Sequence, residues 1–485
     1  MLHSNSHEPL ATKLEPDQSD AQPASEPGTS EQLASGRRFS RYLTWLGVST
    51  AFIVSVWGSL NGILLPNHVQ TLEFANFFVG NDASANLQEL ANLKAAVDAG
   101  STTATAEQTR MLGILHDYEV ARANSLALLI TVGLTVTMFM GPFLGLISDR
   151  TRSRFGRRTP FIFFGGIIGA ASIAAMQFAP NLLLLIVLWS VAGLFVGMAQ
   201  AAQNATIADR VVYGKRGTAS AISGLGAFMG GILGTVMGAA AFGALGLGSY
   251  YIPALLVALG ACLFVAFAPD RSSRDLSPTS AGLGQALKGF LVPLRSHDFR
   301  WVWIARLIMT FGWGVSTAFG LFMLQSYVQP ALNQAEATAM APILALVGLP
   351  GTVISLVIAG RWSDKVGRRK PFVIFSSLLL AASFVVPLVS PTVPGLLIQG
   401  IVAGVAYGAY LSVDQALFID VLPNMKDAGR DLGIAGLGMS MGNALAPIIA
   451  AQVFSLTGNY VWIWVVALVL VVAAAFAIFP VRSVK

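Results

Sequence analysis

The chain has 485 residues, 54% of them hydrophobic and only 11% charged, with a mean hydropathy of +0.66; soluble domains average about 25% charged. So little polar surface excludes a water-soluble globule and makes lipid the main solvent. The net charge is +6, from 30 Lys and Arg against 24 Asp and Glu, but the basic residues alternate with apolar runs instead of gathering on one soluble face, which argues against a nucleic-acid partner and for a topology signal.

In chain order, residues 1–41 form a tail whose first 36 residues are polar and rich in Pro, Ser and Glu, compositionally disordered and without the apolar core of a signal peptide. Apolar runs of about 20 residues, enough to cross roughly 30 Å of hydrocarbon, follow at 42–65, 121–147, 160–178, 182–207, 218–242, 249–268, 301–327, 339–359, 371–389, 393–419, 432–456 and 460–480. These twelve are numbered here as spans 1 to 12. Breaks such as Ala-Pro-Asn at 179–181 and Thr457-Gly458-Asn459 carry the expected turn residues. Residues 42–268 form an N-terminal six-helix half and 301–485 a C-terminal one, joined by a charged linker at 269–300. Between spans 1 and 2 lies an insertion at 70–120, acidic over 71–120 with seven Asp and Glu against two Lys and Arg. In it, Leu87, Leu90, Leu93 and Val97 predict one short amphipathic helix and 107–120 a second; it either caps the outer mouth or contacts a partner, or is a passive insertion. On span 5, Gly226, Gly230, Gly234 and Gly238 form a stripe suited to close helix packing. The hydrolase-like pattern Gly438-Met439-Ser440-Met441-Gly442 falls inside an apolar span, not on a strand-to-helix elbow, and reads as chance. No nucleotide-binding phosphate loop supports an ATP-driven pump, and the lone Cys262 forms neither a disulfide nor a cysteine metal motif. No metal or cofactor is expected.

Of the 30 Lys and Arg residues, 26 fall on the tail's side of a twelve-span chain. By the positive-inside rule both termini are cytoplasmic. The lone cysteine and the short loops suit a bacterial inner membrane. The chain also repeats itself. Gly145-Leu-Ile-Ser-Asp149-Arg150 leads to Gly156-Arg157-Arg158-Thr-Pro160-Phe161, and Gly360-Arg-Trp-Ser-Asp364-Lys365 leads to Gly367-Arg368-Arg369-Lys-Pro371-Phe372. From there an offset of 211 maps Pro160 to Pro371, Pro180 to Pro391 and Asp209 to Asp420. Two six-helix halves in parallel relation follow.

This repeated loop resembles the cytoplasmic motif of the major facilitator superfamily, and its first copy, from Ser148 to Ile162, is similar to the loop of sucrose and related glycoside:cation symporters. The resemblance implies an all-α integral membrane fold of twelve transmembrane helices in two pseudo-symmetric halves. It also implies a gate role for Asp149, Arg150, Arg157, Arg158, Asp364, Lys365, Arg368 and Arg369, with Asp209 and Arg216, and Asp420 and Arg430, as a second matched acid and base pair. The alternative is that these charges only set topology.

The resemblance further implies that spans 1, 4, 7 and 10 line a central cavity. An ionisable group at membrane depth costs several kcal/mol unless paired or hydrated, and only Arg306 on span 7 and Asp414 on span 10 stand out. Each lies about 8 Å from the same surface, so the two can meet. Either Asp414 is a proton or cation site that Arg306 recaptures, or the two form a permanent ion pair. Trp57, Asn61, His68, Gln200, Gln203, Asn204, Trp313, Thr317, Gln325, Gln399, Tyr407 and Gln415 supply the amides and aromatic plates that a sugar needs. His68 and Gln70 are expected at the outer mouth. Plant-type sucrose symporters carry an arginine where Asn204 stands, so no charge is expected inside the N-terminal half. The sequence therefore reads as a secondary transporter, working as a monomer in the lipid bilayer and driven by a proton or sodium gradient. A sugar or glycoside is the first substrate expected and an exported amphipathic compound the second; a transporter-like sensor or membrane enzyme is the alternative of another class.

Overall fold

The computed structural model describes residues 33–274, 292–422 and 428–482, with the side chains of residues 142, 146, 149, 428–430 and 432 left out. Residues 1–32 of the tail and 275–291 of the linker, and the Asp149 and Arg430 side chains expected at the gate, thus lie outside the described residues.

The described chain is helical apart from one isolated bridge between Leu33 and Val211. The N-terminal half contains α1 (Gly36–Ser59), which passes through a π-helical turn at Leu60–Leu64 into α2 (Leu65–Phe77), then a short α3 (Leu87–Asp98) and a long α4 (Ala106–Arg150). It continues with α5 (Thr159–Met176), α6 (Leu182–Arg210), α7 (Arg216–Leu245) and α8 (Tyr251–Phe267). The C-terminal half contains α9 (His297–Thr317), α10 (Gly320–Ser326), α11 (Gln334–Val347), α12 (Leu349–Val366), α13 (Lys370–Ser383) and α14 (Val385–Val389). It closes with α15 (Val393–Asp420), α16 (Ala428–Thr457) and α17 (Val461–Phe476).

Among the described residues, nine continuous helical stretches are long and apolar enough to cross a membrane, and the pair α9 and α10, bent by 41°, makes a tenth. The shorter apolar α17 adds one more. One of the nine, Tyr213–Phe267, is two crossings. Gly226 and Gly234 of α7 meet Gly47 and Ser55 of α1 in parallel order, whereas Phe264 of α8 and Tyr250 just before its start meet Tyr42 and His68 in antiparallel order. The turn at Gly246–Tyr250, where Gly246 has φ +55°, reverses the chain there.

The halves repeat one packing pattern. Span 1 packs on spans 5 and 6 and span 4 on spans 2 and 3; likewise span 7 packs on spans 11 and 12 and span 10 on spans 8 and 9. The glycine stripe explains the tightest of these contacts. A Cβ at Gly226, Gly230, Gly234 or Gly238 would overlap Gly47, Ala51, Ser55 or Ser59 of α1, so the backbones approach only because no side chain stands between them. Gly438 and Gly442 lie in α16 against Trp303 and Thr310, and the Ser440 hydroxyl donates to Gly436 of its own helix, so the hydrolase-like pattern is a packing face.

Helices run past the apolar limits read from the sequence. The insertion shrinks to residues 78–105 around α3, since 70–77 complete α2 and 107–120 begin α4. Thr105 and Gln108 form a capping box that starts α4, and the Asn86 side chain caps α3.

Candidate functional site

The end of the bundle carrying Gly36 and Arg482 is called proximal, the other distal. At the proximal end the repeated loop forms matched ion pairs within each half. Arg158 Nε donates to Asp209 Oδ2 at 3.0 Å, Arg157 also binds Asp209, and Arg158 reaches Ser148 Oγ at 2.9 Å. At the same offset of 211, Arg369 lies 3.0 Å from Asp420 and 3.5 Å from Asp364. The second arginine of each motif thus ties its loop to the end of span 4 or span 10. Arg216 does not pair with Asp209 as expected; its guanidinium donates to the carbonyls of Ala208 and Val211 and closes the turn before α7. Arg150, Lys365 and Arg368 stand exposed at this end.

Deeper in, Arg306 and Asp414 meet. Their closest N to O distance is 2.6 Å, both side chains are buried, and the guanidinium lies 3.7 Å from the Phe418 ring centroid. Arg306 also reaches Gln415 at 3.4 Å. The repeat supplies an internal control. At the offset of 211 Asp414 corresponds to Gln203, which is buried and donates to the Leu46 carbonyl and to Thr50. Thr50 bonds back to Leu46 as Thr310 does to Arg306, so Leu46 holds the place of Arg306. One place in the two halves is neutral in the first and ionic in the second.

About two helical turns beyond Asp414 along α15, Tyr407 stacks on Trp313 with centroids 4.7 Å apart, at one edge of a cavity of about 820 Å³ between the halves. Trp57, Asn61, Thr317 and Gln399 also line it. None of the described residues lining it is Asp, Glu, Lys, Arg or His; most of the wall is Leu, Ala, Gly, Phe, Met and Trp. The irregular backbone of the spans collects here: the π turn that carries Asn61, the bend after Thr317 and the break at Gly348 all face the cavity. At membrane depth, non-helical backbone is tolerated where it is buried in protein or lines a cavity.

The other expected binding residues lie elsewhere. Gln200 accepts from the Trp57 indole at 3.3 Å, behind the wall. Asn204 accepts from Ser223, bridging α6 and α7. Gln415 sits beside Arg306, and Gln325 belongs to the distal closure. His68 is not at a mouth: it is 1% exposed and bonded to the Tyr250 hydroxyl at 3.2 Å.

The expectation of no buried charge in the N-terminal half is overturned at the distal end. Glu73, Glu119 and Arg122 are buried there. Ser125 donates to Glu73 at 2.6 Å, and Lys94 of α3 pairs with Glu119 at 2.9 Å. Arg122 reaches across to Gln325 at 3.2 Å and Ser326 at 2.6 Å, with its guanidinium 4.5 Å from the Phe322 ring centroid. Further bonds join the halves at this end: Asn67 with Thr338 and Gln334, Asn124 with Ser455, and Thr131 with the Ala444 carbonyl. Gln88 and Asn92 of α3 bond to Ala331, so the insertion straps the two halves together. The conformation is therefore closed distally. Sequence reasoning missed this cluster because Glu73 and Glu119 sit beyond the apolar windows and Arg122 at the very foot of span 2, on helices that continue past those limits.

Comparison with known proteins agrees with the architecture. The model of the Major Facilitator Superfamily matches residues 95–356 and 316–485. An uncharacterized MFS-type transporter, YfiU, of Bacillus subtilis strain 168 is 30% identical over 118 residues, a match spanning 24% of this chain and only 22% of that protein. Among solved structures, a bacterial homologue of the human lysosomal transporter Spinster, inward-facing and unoccupied, superposes with TM-score 0.63 at 14% identity, covering 93% of this chain and 98% of its own. The nucleoside transporter NupG gives 0.63 at 13% identity, covering 91% and 99%. The human organic anion transporter TETRAN gives 0.58 at 15% identity, covering 92% and 100%. At these identities the likeness is one of fold.

Proposed function

The chain belongs to the Major Facilitator Superfamily of membrane transporters, and on that premise we propose that it carries a small amphipathic solute by alternating access, driven by protons through Asp414 and Arg306. The observation that carries this reading is the central cavity. It is shared by both halves, closed distally, and walled mainly by apolar and aromatic side chains with a few amides and hydroxyls. Such a wall favours a solute with an apolar body and a few polar groups over a bare sugar, whose many hydroxyls would lose water without matching partners. A second reading, a sugar or glycoside, draws on the Trp313 and Tyr407 plates with Asn61 and Gln399 nearby.

In this cycle the proximal end faces the cytoplasm, as the basic loops indicate. Protonation of Asp414 weakens its hold on Arg306 and frees the lower part of α15 to move against α9. The absence of an ion pair at the matching Leu46 and Gln203 supports one coupling site, in the C-terminal half. The Arg158 to Asp209 and Arg369 to Asp420 ties keep each half rigid as it rocks. The test is reconstitution in proteoliposomes with labelled glycosides, free sugars and a lipophilic dye. Accumulation or extrusion of a glycoside or dye that a protonophore abolishes is expected; movement of free sugars alone would favour the second reading, and movement of nothing would overturn both.

A further inference from the structure

We infer that Phe418 is a positioning residue for the coupling site: its ring face holds the Arg306 guanidinium on α15 while Asp414 carries a proton. The inference rests on the coupling role proposed for Asp414 and Arg306, and adds to it a group that governs how readily the proton is taken.

Arg306 meets three side chains of α15. Its Nε donates to Asp414 Oδ2 at 2.7 Å, its Nη2 lies 2.6 Å from the same oxygen, and Nη2 also donates to Gln415 Oε1 at 3.4 Å. The guanidinium carbon stands over Phe418, 3.7 Å from the ring centroid; the next closest such approach among the described residues, Arg122 to Phe322, is 4.5 Å. Asp414 and Phe418 lie one turn apart on one face of α15, so carboxylate and ring share the same cation. Phe418 is fully buried, and its orientation is fixed edge to face against Phe299 of α9, with centroids 5.6 Å apart.

The repeat shows what the ring is for. At the offset of 211 Asp414 corresponds to Gln203 and Phe418 to Ile207, while Leu46 holds the place of Arg306. Phe299, seven positions before Arg306, keeps its counterpart in Phe39, seven before Leu46. Where the cation is absent the ring over it is absent too, and an aliphatic side chain fills the place. The ring therefore answers to the charge.

Arginine stays charged whatever its neighbour does. With Asp414 ionised the pair is neutral overall; with Asp414 protonated a lone cation remains at membrane depth, a costly state unless another group receives it. The face of an aromatic ring attracts a cation, most strongly where water is excluded, and in the ion pair the carboxylate's opposite charge cancels part of that attraction. The ring thus favours the protonated state over the ionised one. Gln415 adds a neutral acceptor for the same guanidinium. Both hold it less tightly than a carboxylate does, so protonation loosens α15 without releasing it, and the pair re-forms when the proton leaves. Other ionisable groups surround the pair. Tyr410 lies one turn further along α15 with Tyr407 beyond it, and Asp431 is buried in the first turn of α16, one turn before the Ile434 carbonyl that accepts from Trp303. Those of α12 and α13 lie at the proximal end, between Arg361 and Lys370. All stay in place when only the ring is altered.

The test follows the infrared carbonyl band of protonated Asp414, identified by its loss in Asp414→Asn, as the full chain in nanodiscs is titrated. Stepwise fluorination of the Phe418 ring keeps its shape and drains charge from its face, so the fold is retained. The series should move the band's midpoint toward acid by about half a pH unit or more, roughly threefold in proton affinity, and Phe418→Ile, which copies Ile207, should move it the same way. A midpoint that stays fixed or moves toward alkali across the fluorinated series would make Phe418 a packing residue only and overturn the inference, leaving the coupling role of Asp414 intact. Absence of any band that Asp414→Asn removes would mean that Asp414 takes no proton, and would overturn the coupling role and this inference together.

Discussion

Replacing Arg122 with methionine keeps most of the side-chain volume and removes the charge that crosses between the halves. Arg122 is 1% exposed and donates to Gln325 and Ser326 of the opposite half at 3.2 and 2.6 Å. Hydrogen bonds to charged groups contribute about 1.5–3 kcal/mol each. In the distally open form water rehydrates the guanidinium, and in the variant Lys94 still compensates Glu119. A net shift of about 2–4 kcal/mol toward the open form follows, or roughly 30- to 700-fold in the conformational equilibrium at 1.4 kcal/mol per decade. The assay introduces Thr235→Cys on the cavity wall in a Cys262→Ala background and measures labelling by a membrane-impermeant maleimide added from the distal side. Arg122→Met should raise the rate by at least tenfold. An unchanged or slower rate in a variant that still folds would refute the assignment of this cluster as the distal closure.

Four other outcomes are expected. Gly234→Leu forces α7 away from Ser55 of α1 and should cost about 1–3 kcal/mol or more, read as a lower melting temperature; an unchanged value would contradict the close approach. Asp209→Asn disturbs two arginines and Asp420→Asn one, so the first should lower the melting temperature more, by about 2–8 °C, and an equal or reversed order would count against the matched ties. Trp313→Ala removes the plate stacked on Tyr407 and should weaken binding of the transported solute about tenfold, whereas unaltered binding would place the solute elsewhere. Arg110 beside Asp82 and Glu107 holds both carboxyls below their ordinary values. Their stabilisation of the strap is therefore complete above the unfolded carboxyl range near pH 4 and is lost as pH falls through the lowered values. Hydrogen exchange at 78–105 should be faster at pH 3 than at pH 6 after correction for intrinsic rates, and equal protection would contradict the pairing.

The repeat and the span order were legible because they rest on local spacing and on a fixed offset, but the partners of the proximal charges were not: Asp209 was expected beside Arg216 and is held by Arg157 and Arg158 instead. Asp414 and Arg306 stood out because charge at membrane depth is rare, and their pairing followed from equal depth. The distal cluster was not legible. Glu73 and Glu119 look like loop residues by hydropathy, Arg122 stands at the foot of span 2, and nothing local ties it to Gln325, 203 positions away. The cavity wall was partly legible: aromatic and amide residues on spans 1, 7 and 10 marked Trp57, Trp313, Gln399 and Tyr407. The helix breaks that expose the wall depend on tertiary packing, such as the approach of Gly348 to Gly400 and Gly404. Gln203, Asn204 and Gln325 show why polarity alone misleads, since each is used to bond one part of the protein to another.

Proton coupling through the buried pair is tested most directly by comparing solute exchange with gradient-driven accumulation in proteoliposomes, for the unaltered protein and for Asp414→Asn. The account predicts that the variant keeps exchange, because the central cavity is intact, and loses accumulation under an imposed pH gradient. Accumulation at the unaltered level in Asp414→Asn would contradict it and leave the Arg306 and Asp414 pair as a fixed structural tie between α9 and α15.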